Sequence, residues 1–203
     1  MTIDLGKALI GKKQFSKALL IFNEILKSKP NDLRANFQLG KIYYELNDLK
    51  KSMSIFEKCN KIQPNTVGVL FNLALVFQST GKIEKAKDIY LNLISINPKD
   101  IRSYYGLHLL DIDHVETHFH KKLQELNYDE NILISEKSLI NFILSKIEIK
   151  NKNIENELKY LEKSHRQCLE ANKLIYNQSN FYYKKIISNH FDKIIFKKNF
   201  DLI

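Results

Sequence analysis

Three histidines carry the most obvious chemistry in this chain. His114, His118 and His120 sit close together, with Asp111 just ahead of them. On a helix His114 and His118 would share one face a turn apart, a spacing that can present two imidazoles to a metal. A zinc site needs a closed set of ligands or a general base beside them, and no HExxH is present. The segment therefore reads as a polar surface helix, and no metal site is expected. Cys59 and Cys168 are the only cysteines and form no CxxC pair, so nothing points to an oxidising compartment and the cytoplasm is expected. Serine, histidine and aspartate are scattered with no strained turn to hold a nucleophile. No catalytic residue and no cofactor site are predicted. The chain reads as a binder, not an enzyme.

What would position binding side chains is a repeat. Pro30, Pro64 and Pro98 are the only prolines and stand 34 residues apart. A fixed period of that length marks a stacked array. Aligned on the prolines, Leu5, Gly6 and Leu9 match Leu39, Gly40 and Tyr43, and then Leu73, Ala74 and Phe77. Further on, Ala18, Phe22 and Ile25 match Ser52, Phe56 and Cys59, and then Ala86, Tyr90 and Leu93.

Within each segment the apolar residues recur at three and four, as on one helix face. Gly6, Gly40 and Ala74, facing Ala18, Ser52 and Ala86, mark a close approach of two helices. Asn47 and Gly81 fall between paired helices, where a positive φ is expected. Each proline ends a second helix. Asp32, Thr66 and Asp100, two residues later, are expected N-caps. A fourth unit opens at Ile101 with Tyr104, Tyr105 and Leu107. It then breaks where His108 replaces the small residue and Asp111 stands in place of an aromatic.

The pattern of an apolar-small pair, an aromatic, then alanine, aromatic and proline resembles the tetratricopeptide repeat. The resemblance implies an all-α fold: a right-handed α-solenoid of helix pairs, closed by a degenerate repeat and a long capping helix at the C-terminus. Residues 1–113 would form three repeats plus the first helix of a fourth, and 114–203 a helical extension. In such arrays the first helix of each pair lines a concave groove. Off the core columns this selects Arg34, Phe37, Gln38, Lys41 and Tyr44, then Phe71, Asn72 and Gln78, then Arg102 and Tyr105. Gln38 and Asn72 hold equivalent positions, where stacked amides could bind an extended backbone. The alternative is that several of these aromatics pack beneath the C-terminal helices. The expected partner is a protein or peptide segment.

No glycine follows Gly106 and no proline follows Pro98, so the second half is expected to be helical almost throughout. Helices are expected over His114–Leu126, from a Ser135 cap through Ile147, and from about Asn153 onward, with a loop at Asn127–Asn131. The last of these is expected to run on through Tyr183, Ile187 and Phe191. The segments 135–150 and 153–170 resemble a repeat that has lost its small residues.

A narrower resemblance covers IRSYYGLHLL and the stretch from LINFILSK to CLEANK, with Phe142, Leu161-Glu162-Lys163, Asn172-Lys173 and Phe181-Tyr182-Tyr183. These look like the segment that follows the repeats in bacterial repeat-containing sulfotransferases. That resemblance implies an accessory, acceptor-holding part. The family's phosphate loop needs glycine, so none of its donor-binding residues can be placed here.

The composition limits other readings. The net charge is +9, but it divides as +6 over residues 1–113, −1 over 114–172 and +4 over 173–203. Only Arg34, Arg102 and Arg166 are arginines. Spread lysine without an arginine fork reads as a solvated face, so no specific nucleic-acid partner is expected. No stretch approaches the roughly 18 apolar residues of a membrane span. The tail from Ile194-Ile195-Phe196 to Ile203 is apolar enough to need cover, and offers a surface for pairing copies of the chain.

Overall fold

The computed structural model describes residues 2–173, and these fold into helices joined by turns. They form two compact units, one reaching Phe119 and one beginning at His120.

In the first unit the helices come in pairs: α1 (Ile3–Gly11) with α2 (Phe15–Ser28), α3 (Leu33–Glu45) with α4 (Leu49–Ile62), and α5 (Val67–Ser79) with α6 (Ile83–Ile96). Each second helix borders the first helix of the next pair, so the array is a solenoid. The prolines act as expected. Lys29, Gln63 and Asn97 before them take φ of −134°, −140° and −135°, the extended conformation that proline imposes on its predecessor.

The turns inside the pairs share one geometry. Lys13, Asn47 and Gly81, 34 residues apart, have φ of 55°, 59° and 73°. In each turn this residue's N–H bonds the carbonyl three back, and the next N–H bonds the carbonyl five before it. At Asn47 the acceptors are Tyr44 O at 2.9 Å and, for Asp48 N, Tyr43 O at 2.8 Å. The left-handed residue lets the chain satisfy the last carbonyls of one helix while turning into the next. The expectation for Asn47 and Gly81 holds; Lys13 shows that the geometry is kept even where a side chain strains it.

The close approaches are also where the small residues fall. A Cβ at Gly6 would stand 2.4 Å from Phe22 Cζ, and one at Gly40 2.8 Å from Phe56 Cε1. In the third unit the small residue is Ala74, and the aromatic is Tyr90. The Tyr90 ring lies on Gly106 of the following helix, where a Cβ would meet Cζ at 2.4 Å. Phe22, Phe56 and Tyr90 are all fully buried.

Within the repeats, two positions depart from the pattern. Leu5 stands in the same column as buried Leu39 and Leu73, yet it is 50% exposed. Its helix borders only α2 and α3, whereas α3 is enclosed by α1, α2, α4 and α5. Asp32, Thr66 and Asp100 all occupy N-cap positions, but only the Asp32 carboxylate accepts a helix N–H, from Ala35 at 2.9 Å. Thr66 turns its hydroxyl back to Gln63 O, and Asp100 is occupied by Ser103 and Arg102.

The fourth unit breaks at Asp111 for a visible reason. Helix α7 (Ile101–Leu110) is three residues shorter than α3 or α5 and ends at Asp111, which caps α8 (Ile112–Tyr128) through His114 N at 2.9 Å. The other carboxylate oxygen of Asp111 lies 2.8 Å from Lys87 Nζ. One aspartate thus starts a new helix where the repeat would have continued the old one.

The second unit contains the end of α8, then α9 (Ile134–Lys150) and α10 (Ile154–Ala171). Helix α8 runs through Asn127 and Tyr128, beyond the expected end at Leu126, because Asn127 is buried and pairs with Asn141. The cap of α9 is at Leu133 rather than Ser135: Leu133 N–H bonds the Glu136 carboxylate. Lys152 repeats the left-handed turn, with φ of 57° and the same two hydrogen bonds, to Ile149 and Glu148 carbonyls.

The small residues expected to be missing here are serines. Ser138 Oγ donates to Ser164 O and Ser164 Oγ to Ser138 O, both at 2.9 Å, where α9 and α10 touch. The continuation expected through Tyr183, Ile187 and Phe191, and the apolar tail at 194–203, lie outside the described residues.

Candidate functional site

The 34-residue period sorts the first helices into columns. Arg34, Gly68 and Arg102 share one; Phe37, Phe71 and Tyr105 the next; Gln38, Asn72 and Gly106 another; then Lys41, Leu75 and Leu109. The two phenylalanines are half-buried for the same reason. Phe37 meets Phe56 edge-on, with ring centroids 5.8 Å apart, and Phe71 meets Tyr90 at 6.0 Å. What covers them differs. Gly68 borders Phe37, where a Cβ would make ordinary contact with the ring at 3.7 Å, whereas the Arg102 guanidinium lies over Phe71 at 4.8 Å.

Two clefts open on this side. One of about 320 Å³ is walled by Tyr44, Phe71, Leu75, Tyr105 and Leu109, backed by Tyr90 and Gly106, and edged by Gln78, Ser79 and Arg102. The other, about 260 Å³, lies among Lys7, Leu33, Arg34, Phe37, Gln38, Thr66, Gly68 and Val69. Polar groups at the first cleft are already oriented. The Tyr44 hydroxyl and Ser79 Oγ lie 3.2 Å apart, and Tyr90 OH donates to Gln78 Oε1 at 3.1 Å. Arg102 Nε donates to buried Asp100 Oδ1 at 3.1 Å, which holds the guanidinium in place while its side chain stays 56% exposed. Burial drives the Tyr90 phenol well above its ordinary pKa, so it stays neutral.

Of the ten residues selected from sequence, Tyr44, Phe71, Gln78, Arg102 and Tyr105 come together at the first cleft. Arg34, Phe37 and Gln38 meet at the second. Lys41 and Asn72 line neither. Asn72 Nδ2 donates one hydrogen to Gly68 O at 2.7 Å on its own helix, which orients its amide. Leu75, Ser79, Tyr90, Gly106 and Leu109 were missed. The period could have found two of them, since Leu75 and Leu109 share the column of Lys41.

The histidines do not form a ligand set. His114 and His118 stack with centroids 4.2 Å apart, and His118 Nδ1 lies 3.1 Å from His114 O. His120 instead meets Gln124 at 3.2 Å and Glu148 at 4.0 Å. Among the described residues no group of three or more histidine, cysteine or carboxylate side chains could hold a metal ion. Cys59 is buried, and burial raises its thiol to about 11. No helix among the described residues is long and apolar enough to cross a membrane.

Paired helices on a 34-residue period, with an open face built from the first helix of each pair, define a helical-repeat protein. Two of its units, residues 33–66 and 67–100, each match the family described as Tetratricopeptide repeat. Solved structures share the fold. MamA from Desulfovibrio magneticus RS-1 is 16% identical with a TM-score of 0.66, over 83% of this chain and 93% of that one. YrrB, described as a TPR protein with an unusual peptide-binding site, is 15% identical with a TM-score of 0.61, over 84% and 90%. PilF of Pseudomonas aeruginosa is 14% identical at 0.66, over 81% and 74%. No curated protein matches the sequence.

Proposed function

We propose that this chain is a cytoplasmic protein-interaction scaffold that holds an extended or helical segment of a partner against the first helices of its repeats, without catalysis of its own. The carrying observation is the cleft at Tyr44, Phe71, Tyr105 and Leu109, where three first helices contribute to one apolar hollow with an oriented arginine at its edge. Such a surface offers anchors for side chains and a charged rim, the usual division of labour in peptide recognition. The partner would run along Arg34, Phe37, Gln38, Lys41, Tyr44, Phe71, Asn72, Gln78, Arg102 and Tyr105. That YrrB is described with a peptide-binding site supports a peptide over a small molecule. The reading as the acceptor-holding part of a sulfotransferase rests on sequence resemblance alone, and the same face would then hold the acceptor.

Selection of a random peptide library on the full chain tests the proposal. Enriched peptides should lose binding to a Leu109→Arg variant, which fills the cleft. They should keep it with Leu20→Arg, on the second helix α2, where Leu20 is 72% exposed. Peptides indifferent to Leu109→Arg would place recognition elsewhere and overturn the reading.

A further inference from the structure

The turns inside the three helix pairs of the first unit recur one period apart and fall at one edge of the array. Lysine that is spread along the sequence is gathered there by the fold. Lys12, Lys13 and Lys17 come from the first pair, Lys50 and Lys51 from the second, and Lys82 and Lys85 from the third, and all seven are exposed. Over residues 11–17, 45–51 and 79–85 they stand against three carboxylates, Glu45, Asp48 and Glu84. Asp48 is taken by Lys51 at 2.7 Å, and Glu84 lies 3.6 Å from Lys87. Among the described residues the other six lysines of the edge have no ion pair. The turns at the opposite edge are balanced: residues 29–32, 63–66 and 97–100 hold Lys29 and Lys99 against Asp32 and Asp100.

Rings hold several of these ammonium groups. Lys51 Nζ lies 5.1 Å from the centre of the Tyr43 ring, and Lys82 and Lys85 lie 5.5 and 5.7 Å from that of Phe77. Lys82 Nζ also donates to Met53 Sδ at 3.1 Å, which carries the row from the third pair to the second. An aromatic face or a thioether competes less for an ammonium than a carboxylate does, so N–H donors stay available to an outside anion. Apolar side chains stand between the cations. Leu46, at the second turn, is 47% exposed, and Ile83, beside Lys82, is 36% exposed. Phe15 and Leu49, both half-buried, share the column of Ile83.

We infer that this edge of the first unit docks on an anionic lipid bilayer, its lysines among the charged headgroups and Leu46 and Ile83 at the boundary between headgroups and acyl chains. Lysines interleaved with exposed aliphatic side chains are what a peripheral protein presents to a membrane surface. Each lysine held near a charged leaflet adds to the attraction, and the leaflet that faces the cytoplasm is the anionic one. A nucleic acid would use the cations alone: a phosphodiester backbone has no place for Leu46 and Ile83, and the edge has no arginine to read a base. None of these lysines, nor Leu46 or Ile83, lines either cleft, so the inference stands apart from the groove.

The test is cosedimentation of the full chain with extruded vesicles, either of phosphatidylcholine alone or with about a third phosphatidylserine. The chain should pellet with the anionic vesicles and not with the neutral ones, and raised salt should release it. Lys50→Gln combined with Lys85→Gln should weaken the binding about tenfold or more. Lys29→Gln combined with Lys61→Gln removes the same charge from the proline edge and should change it less than about twofold. All four side chains are exposed and none makes an ion pair among the described residues, so both double variants keep the fold. Leu46→Ser combined with Ile83→Ser keeps every charge and should still weaken vesicle binding several-fold. No pelleting with anionic vesicles, or an equal loss in the two lysine double variants, overturns the inference. Full vesicle affinity in the Leu46→Ser, Ile83→Ser variant also overturns it, since charge alone would then suffice and any polyanion, a nucleic acid included, would serve.

Discussion

Gly40 lies against the edge of the Phe56 ring, so close that a Cβ on it would stand 2.8 Å from Cε1 and 2.9 Å from Cζ. Glycine within a helix ordinarily costs about 0.5–1 kcal/mol relative to alanine. Here that cost is outweighed, because overpacking a fixed core typically costs about 1–3 kcal/mol, and Phe56 is fully buried with its neighbour Phe37 on its edge. Gly40→Ala should therefore destabilise the first unit by about 1–2 kcal/mol. Gly11, at the end of α1 with nothing within 4 Å of its Cβ position, is the control: Gly11→Ala should stabilise by up to about 1 kcal/mol. Urea titrations of both variants give the comparison, and destabilisation by both would refute the contact argument.

Lys13 and Lys152 hold the left-handed conformation that Gly81 adopts freely in the equivalent turn. A side chain there costs roughly 1–2 kcal/mol, while glycine gives back part of that through its more mobile unfolded chain. Lys13→Gly and Lys152→Gly should each raise stability by a few tenths to about 1 kcal/mol. Because one lies in each unit, hydrogen exchange should show the gain confined to the mutated unit. An unchanged or lowered stability in both would mean the lysines make compensating contacts.

Asn127 and Asn141 exchange amide hydrogen bonds at 2.9 and 3.0 Å in the buried part of the second unit. The remaining Asn141 N–H is shared between Lys137 O at 2.9 Å and Gln167 Oε1 at 2.8 Å. Asn141→Ala strands these partners and opens a cavity, and should cost about 2–4 kcal/mol. A simultaneous Asn127→Leu, Asn141→Leu change removes both halves of the pair and should recover part of that loss. Thermal melts distinguish the outcomes; a double variant worse than the single one would assign the cost to shape and not to unpaired amides.

Asp111 has a carboxyl held below the usual range, first by its hydrogen bond to Lys87 and then by the His114 N–H. Its folded pKa is thus below its unfolded value near 3.8. The stabilisation is present above that value and is lost as pH falls through the folded pKa. Asp111→Asn keeps a cap for α8 but removes the charge, so its stability should fall less steeply than that of the parent chain between about pH 5 and 3. Raised salt should narrow the gap between the two. Parallel slopes would show that Lys87 contributes nothing through this pair.

Much of the architecture was local enough to be legible. The prolines and the left-handed turns at Asn47 and Gly81 depend on backbone preference, and the small-residue columns showed through their recurrence at the 34-residue period although each answers a ring on another helix. The Lys13 turn was hidden because lysine has no taste for positive φ, although it lies one period before Asn47. Ser138 and Ser164 were hidden for a different reason: serine is small enough for a helix crossing, but it becomes recognisable as such only once the two helices meet.

By itself the sequence determined the period, the pairing of helices, the repeat class and the residues that could face the groove. Tertiary structure decided which of those residues converge. It tied Asn72 back to Gly68, stacked Arg102 over Phe71 and drew Leu75, Ser79 and Leu109 into the cleft. Periodicity fixes the face on which a side chain emerges, because that follows from about 3.6 residues per turn. How deep it lies, and which polar atoms are already taken, depends on side chains arriving from other helices, and no local rule carries that information.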